Sequence, residues 1–433
     1  MAETSNRLNY QPLVDPLEIR VLALKRTTSE NPSITCELHH TYLPAQPAIT
    51  KNRHTLRSYH ALSYEWGSPN DGGDFITIDG VSVWIRQNLH DALKQLSADE
   101  DSGELFIWVD ALCINQEDLE EKSRQVAMMG DIFHKAERVI AWLGPARDDS
   151  DVAMDLMAET SKVEALVQGP ERQREIDAGE CAEAEAMVKL CHRSYWKRMW
   201  IVQELFLARD CVVRCGAKAV PRDAFENSLG ATQQGQGWIW KGLKWEEGPA
   251  NHYRLSRWRR GNMKAGLRWW INTCVQGGFQ AADAHDYIYA LLGVAEDCRD
   301  GEMIVPSYEK APVQVFLEVI NSRAFQVLGP EKVYGDEVGY RIALSLAGRM
   351  GIDLDPNDIT LSRDDIKAVF GLKSKFPNVV DAYPQTSRSH VDADIDYMVV
   401  FVFGVITVGT IAFGVFLLRS LLGRVFSPFS SGS

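Results

Sequence analysis

The sequence predicts an α/β chain: a parallel, Rossmann-like sheet with β-hairpin additions, then a mainly helical region, then one C-terminal transmembrane helix. Three observations predict it. Between about residues 59 and 215, buried-strand patterns alternate with helical ones, the order of a parallel sheet with crossover helices. From about Pro221 the hydrophobic period becomes mainly helical. Near the end, Met398–Leu418 runs 21 residues without a charge, about 30 Å as a helix, enough to cross a hydrocarbon core.

Taken in order, Ile19–Lys25 (IRVLALK) alternates apolar and polar residues, and Ile34–Tyr42 does so less cleanly; both read as strands. Tyr59–Trp66 is a third strand, closed by the turn cluster Gly67-Ser68-Pro69-Asn70. Phe75–Ile78 and Val81–Ile85 flank Asp79-Gly80, a hairpin signal. Asn88 then caps a short helix with Leu89, Leu93 and Leu96 on one face. Leu105–Ile114 is a near-continuous apolar run, expected of a strand covered on both faces. Leu119–Ala136 carries a helical stripe of Val126, Met129 and Phe133, and Arg138–Leu143 is a buried strand stopped by Gly144-Pro145. Helices are expected over Asp151–Val167, Ala182–Cys191 and Trp196–Leu207, with a short strand at Cys211–Cys215. Ala284–Leu292 and Val313–Ala324 are the most periodic later pieces, and residues 340–396 mix helical pattern with turns.

Composition narrows the function. Of 433 residues, 45% are hydrophobic and 24% charged, ordinary for a globular protein. Lys+Arg 46 against Asp+Glu 59 gives a net charge of -13, which argues against broad nucleic-acid binding. The eight cysteines are scattered without a framework, and Met1–Pro16 has no apolar run to serve as a secretory signal, so the thiols are expected to be reduced and the body cytosolic. Only 15 residues follow the apolar run. That predicts a tail anchor: membrane lipid as partner through residues 398–418, in the mitochondrial outer membrane or the endoplasmic reticulum. Arg419 and Arg424 after the span would place the tail in the cytosol by the positive-inside rule, but that orientation requires a folded domain to be translocated. Thr410 and Gly414 form a small-xxx-small pair at which helices pack.

Three constellations could carry chemistry. Tyr64-Glu65-Trp66-Gly67 ends a strand, where open α/β sheets bind ligands; the alternative is a packed Trp66 and a solvated Glu65. Asp110 interrupts an apolar run, and burying an ionised carboxylate costs several kcal/mol unless it is paired. It therefore needs a partner or a cleft, with Asn115 and Gln116 just past it to hold a ligand or cap the loop. Cys113 lies within the same run and reads as packing. Trp200 and Glu204 are four apart on one helix face, with Glu204 in an apolar setting that would desolvate it; the alternative is an exposed Glu204 paired with Arg198 or Arg209. Cys191-His192 with Cys211 and Cys215 lack zinc-site spacing, and no metal is expected. Residues 241–270 interleave basic residues with tryptophans, as in single-stranded nucleic-acid or membrane-surface binders, or as in a helix whose tryptophans pack inward. Walker A, Gly-x-Gly-x-x-Gly, Gly-x-Ser-x-Gly and kinase signatures are absent.

Tyr59–Gly67 (YHALSYEWG), Trp108–Gln116, Gln125–Gly144 and Tyr195–Leu205 (YWKRMWIVQEL) resemble the four ordered blocks of the fungal heterokaryon-incompatibility (HET) domain. Asp286–Gly293 (DYIYALLG) and Val305–Tyr308 resemble the segment that follows in long members, with His285-Asp286-Tyr287 in place of the common Arg-Asp-Lys. The resemblance implies a HET domain over 59–205, preceded by N-terminal strands (1–58) packing on it. A mainly helical extension (206–325), a poorly assigned region and linker (326–396), the span (397–418) and a short tail (419–433) follow. It implies a role in non-self recognition and regulated cell death, through self-association or a protein partner. It also implies a distant likeness to TIR domains. Trp200-x-x-x-Glu204-Leu205 has the spacing of the TIR segment whose Glu serves NAD cleavage, with Ile201 where that segment has Cys. Glu204 is then the candidate catalytic carboxylate, NAD the candidate substrate and no cofactor is needed. Tyr64, Glu65, Trp66, Asp110, Asn115, Gln116 and Trp200 are the candidate ligand-binding residues.

Overall fold

The computed structural model describes residues 8–26, 33–43, 58–99, 104–159, 161–163, 170–234, 249–260, 265–298, 304–325, 336–354 and 363–370. The chain divides into two units, residues 1–375 and 376–433; all described residues belong to the first. The expected span at 398–418, its tail, and residues 241–248 and 261–264 of the basic, Trp-rich stretch lie outside the described residues. Among the described residues, no helix is long and apolar enough to cross a membrane.

Nine strands form one sheet: β1 (Glu18–Leu24), β2 (Thr35–Tyr42), β3 (His60–Tyr64), β4 (Gly73–Ile78), β5 (Val81–Arg86), β6 (Leu105–Trp108), β7 (Arg138–Trp142), β8 (Cys211–Cys215) and β9 (Lys218–Pro221), in the order β5-β4-β2-β1-β6-β3-β7-β8-β9. The central block β6-β3-β7-β8 is parallel throughout. The β1–β2 pair continues it antiparallel on one side, and β8–β9 closes it as a hairpin on the other. The β4–β5 hairpin turns at Asp79 and Gly80, both at positive φ, as the Asp-Gly pair requires.

Within the parallel block the chain leaves β3, enters β6 on one side, and returns to β7 on the other. This is the doubly wound order in which the crossovers part beside the first strand, opening a crevice at the carboxyl ends of β3 and β7. Helix α1 (Gln87–Ala98) precedes β6 and helix α3 (Leu119–Lys135) connects β6 to β7. Asp118 caps α3 by accepting from the Glu120 and Glu121 amides, and its Val126, Met129 and Phe133 stripe is buried as the period predicts. Every residue of β1 is buried, including Arg20. Its guanidinium binds both oxygens of Glu121 on α3, at 2.6 and 2.9 Å, so the charge is matched inside the core.

Several expectations need correcting. Asn88 does not cap α1: Arg86 takes that place, and Asn88 donates to the Glu65 carbonyl at 2.6 Å and accepts the Trp142 indole at 3.0 Å. The helix expected over Asp151–Val167 ends at Met157. The run Leu105–Ile114 is not one strand: β6 ends at Trp108, and Asp110–Cys113 forms a short helix, α2. The Asp110 side chain accepts the Ala111 amide at 2.7 Å, a local bond that favours turning over extension. Likewise Trp196–Leu207 is not a continuous helix but a 3₁₀ turn, Ser194–Lys197, followed by a helix at Ile201–Phe206.

The later residues pack onto this sheet layer. The helix Asp286–Leu292 lies against α3 and Ile201–Phe206. The strip before it is stitched to the 198 region, Met199 donating to the Gln280 carbonyl at 2.8 Å and Gln280 to that of Lys197 at 2.6 Å. Trp270 is fully buried in the helix Leu267–Gln276, edge-on to Trp269, so this end of the Trp-rich stretch packs inward. A helix at Glu337–Arg349 covers it, and Arg268 grips Asp336 with both guanidinium nitrogens.

The seam between α3 and Asp286–Leu292 rests on a close approach of Gly130 and Gly293. A Cβ at Gly293 would stand 2.7 Å from Gln203 Oε1, itself tied to the Gly293 amide at 3.1 Å, and 3.2 Å from the Gly130 Cα. Gly293→Ala is expected to destabilise by about 1–3 kcal/mol through overpacking. Gly348→Ala, where nothing lies within 4 Å, should be neutral or gain up to about 1 kcal/mol from helix propensity. Urea unfolding of the two variants measures the difference, and equal midpoints would contradict the packing.

Candidate functional site

A cleft of about 890 Å³ opens at the crevice. Glu65, Trp66 and Gly67 enter it from the end of β3, Asp110 and Gln116 from α2 and its exit, and Gly144 and Pro145 from the end of β7. Arg198, Met199 and Trp200 form one wall, and Asp283, Asp286 and Tyr308 come from beyond residue 205. Gly67 has φ +72, and its carbonyl accepts from Arg86 at 2.7 Å. That left-handed turn halts β3 so that Glu65 and Trp66 stand at the rim.

Beneath the cleft is a buried ion pair. Arg198 donates to the two oxygens of Glu204 at 2.9 and 3.1 Å. Glu204 is 2% exposed, and the Ser63 hydroxyl also donates to it. Ser63, on β3, is left to accept from the Tyr195 hydroxyl at 2.7 Å. Burial alone would lower the Arg198 pKa, but the Glu204 carboxylate, with Tyr195 and Asp110 adding, outweighs it and holds it above the ordinary value. Arg198 lines the cleft and Glu204 does not. The carboxylate assigned catalysis from sequence is therefore placed behind an arginine, with both oxygens engaged.

Asp110 is arranged differently. Its donors are neutral: the Trp66 indole at 2.9 Å, the Ala111 amide at 2.7 Å and the Tyr64 hydroxyl. Burial pushes its pKa up to about 6. The Arg198 charge, the indole and the amide pull it down, and Glu204 pushes it up. A carboxylate on the wall of a cleft, kept without a dedicated cation, is the pattern of a functional acid.

The remaining candidates separate. Glu65 lines the rim and accepts from Ser194 Oγ at 2.5 Å. Gln116 lines the cleft and donates to the Asp110 carbonyl at 2.9 Å. Tyr64 is buried and supports Asp110 from behind, and Asn115 caps the loop, accepting the Glu117 amide at 3.3 Å. Trp200 lines the wall and its indole bonds Asp286. Cys113 is fully buried, its thiol pushed up to about 12 by burial, and it packs. Among the described residues, no group of three or more His, Cys, Asp or Glu is arranged to hold a metal ion. Sequence reasoning missed Arg198, Asp286 and Tyr308 as site residues. The signals were the lone arginine between Lys197 and Met199 in a segment otherwise rich in aromatics, and an acid opening the apolar run YIYALL.

The Asp110 environment has a measurable sign. Its folded pKa of about 6 lies above the unfolded value of about 3.9. Between those values the folded state keeps a proton that the unfolded state has lost, so this site's contribution to stability falls as pH rises through the window. Two units correspond to roughly 3 kcal/mol. Asp110→Asn should therefore gain stability relative to wild type by up to roughly that amount between pH of about 4 and pH of about 8. Urea unfolding at both pH values measures the gain, and a difference that does not change with pH would contradict it.

Comparison with known proteins places the same residues. Residues 59–204 match the family model described as "Heterokaryon incompatibility protein (HET)". The chain is similar to "Heterokaryon incompatibility protein 6, OR allele" of Neurospora crassa, at 34% identity over 203 residues, covering 38% of this chain and 29% of the relative. The chain thus spans under a third of that relative's length. No solved structure matches. Asp110, Arg198, Trp200 and Glu204 fall inside the matched segment, whereas Asp286 and Tyr308 lie beyond it. Residues 59–204 of this chain are accordingly similar to the heterokaryon-incompatibility domain.

Proposed function

We propose that the protein acts in fungal non-self recognition and regulated cell death as an incompatibility-type effector or signalling protein. Its HET domain works by binding a small ligand in the crevice at the ends of β3 and β7. It is anchored in a membrane of the mitochondrion or endoplasmic reticulum through residues 398–418, with the body in the cytosol, where self-association or a protein partner transmits the signal. The family match and the Neurospora relative support the role. The observation that carries the ligand reading is Asp110: a carboxylate on the cleft wall, oriented by Trp66 and Tyr64, whose charge no dedicated cation offsets. The 21-residue uncharged run supports the anchor.

A second reading, TIR-like cleavage of NAD, is favoured by the same acid. Breaking the nicotinamide–ribose bond passes through an oxocarbenium-like state that a carboxylate stabilises. Asp110, with a pKa of about 6, is mostly ionised at neutral pH and faces the cleft. On this reading Glu204 acts at one remove, by fixing Arg198, and Trp66 or Trp200 stacks a ring.

Expression of the full chain in a fungal host, with survivors counted, tests the role. Wild type is expected to reduce viability. Asp110→Asn is expected to restore it at equal protein level, and deletion of 398–418 should move the protein from the membrane pellet to the supernatant. Toxicity undiminished by Asp110→Asn would sink the ligand reading, and a deletion variant that still pellets would sink the anchor. Nicotinamide release from NAD by purified protein separates the two readings: none at high protein concentration removes the enzyme.

A further inference from the structure

Asp286 lies on the helix Asp286–Leu292, past the family-matched segment, and lines the cleft. Its carboxylate accepts the Tyr308 hydroxyl at 2.7 Å and the Trp200 indole. Both donors are neutral. Burial raises its pKa, and Asp283 adds to the rise, while Lys122 opposes it. Lys122 itself sits over the Tyr308 ring, 3.8 Å from its centroid, rather than in a salt bridge with the acid. The two deeply buried glutamates nearby contrast with it: Glu121 and Glu204 each hold an arginine through both oxygens.

Asp110 repeats the Asp286 arrangement from the other end of the chain. Trp66 gives its indole to Asp110 as Trp200 gives its own to Asp286. An ionised carboxylate offers about four lone-pair sites, and two neutral donors leave Asp286 with capacity for a ligand. Two acids, each steered by a half-buried tryptophan and both lining one cleft, suit a ligand with several hydroxyls and a flat face. Arg86, Lys122 and Lys197 line the same cleft and supply positive charge for an anionic group. A carboxylate is the usual partner of ribose hydroxyls.

We propose that Asp286 is a second ligand-binding carboxylate of this cleft, and that with Asp110 it holds the hydroxyls of a ribose-phosphate ligand. The assignment rests on the reading of the crevice as a ligand site. Trp200 and Tyr308 are then positioning residues, and the matched domain forms only part of the site. Residues 280–286 and Tyr308 complete it.

Titration calorimetry of the full-length protein with AMP and with 2′-deoxy-AMP tests the assignment. Wild type should bind AMP more tightly than the deoxy compound. Asp286→Asn should weaken AMP binding by about tenfold to a hundredfold, the range for a lost hydrogen bond to a charged group, and should erase the preference. Tyr308→Phe should weaken binding less and keep the preference. Retention of wild-type affinity and preference by Asp286→Asn, while Asp110→Asn loses them, overturns this proposal and leaves the ligand cleft standing. No AMP binding by wild type overturns the ligand class, and with it this proposal, while the viability experiment still decides the role. Should Asp286→Asn fail to fold by thermal melting, Tyr308→Phe decides: unchanged AMP affinity overturns the assignment.

Discussion

The structure around the crevice depends on the Arg198–Glu204 pair. Two charges out of water cost several kcal/mol each unless geometry and further hydrogen bonds repay them. Here the guanidinium meets both carboxylate oxygens, and Ser63 and Tyr195 fill what remains. The pair spans the turn and helix of residues 194–206, and Ser63, donating to Glu204, ties it to β3 at the centre of the sheet and so fixes the wall of the cleft. Removing one partner would leave the other charge buried and alone, a cost of about 3–5 kcal/mol. It also sets the electrostatics above it. Arg198 spends its donors on Glu204, so its attraction for Asp110 is partly cancelled by the glutamate beside it.

Two kinds of buried acid result. Glu121 and Glu204 are neutralised by arginines and hold elements together: Glu121 joins β1 to α3 through Arg20, and Glu204 joins the 198 wall to β3 through Ser63. Asp110 and Asp286 are oriented by indoles and hydroxyls and keep unmet charge at the cleft. The first kind serves the fold. The second weakens it, and a protein tolerates such a cost where function needs the group. The site is also divided along the chain, because the strip 280–286 and Tyr308 close a crevice that the sheet alone leaves open on one side.

How much of this was legible in the sequence follows from the range of each interaction. Strands β1 to β5, the Asp-Gly hairpin and the α3 stripe depend on local period and turn chemistry, and alternation exposes them. Asp110 was visible because a charge in an apolar run needs an explanation wherever it lands. Its effect on the backbone was not: the carboxylate bends the chain into α2 and shortens the expected strand to Leu105–Trp108. Glu204 was recognised in the sequence as desolvated or as paired with Arg198; both hold at once, a buried pair, but the Ser63 donor that completes it is 141 residues away and no local pattern announces it. Asp286 and Tyr308 pair across 22 residues and meet Trp200 only after the later helices fold back. No spacing rule links them to Asp110.

The claim that one carboxylate is spent on the fold while its neighbour is left for a ligand is tested most directly by carbon-13 NMR titration of the Asp110 carboxyl, in wild type and in Glu204→Gln. In wild type the midpoint should lie at about 6. In the variant Arg198 loses its counter-charge and the glutamate's repulsion vanishes, so the midpoint should fall toward or below the ordinary carboxylate value of about 3.9. An Asp110 that titrates at the ordinary value in wild type, or one indifferent to Glu204→Gln, would contradict the account.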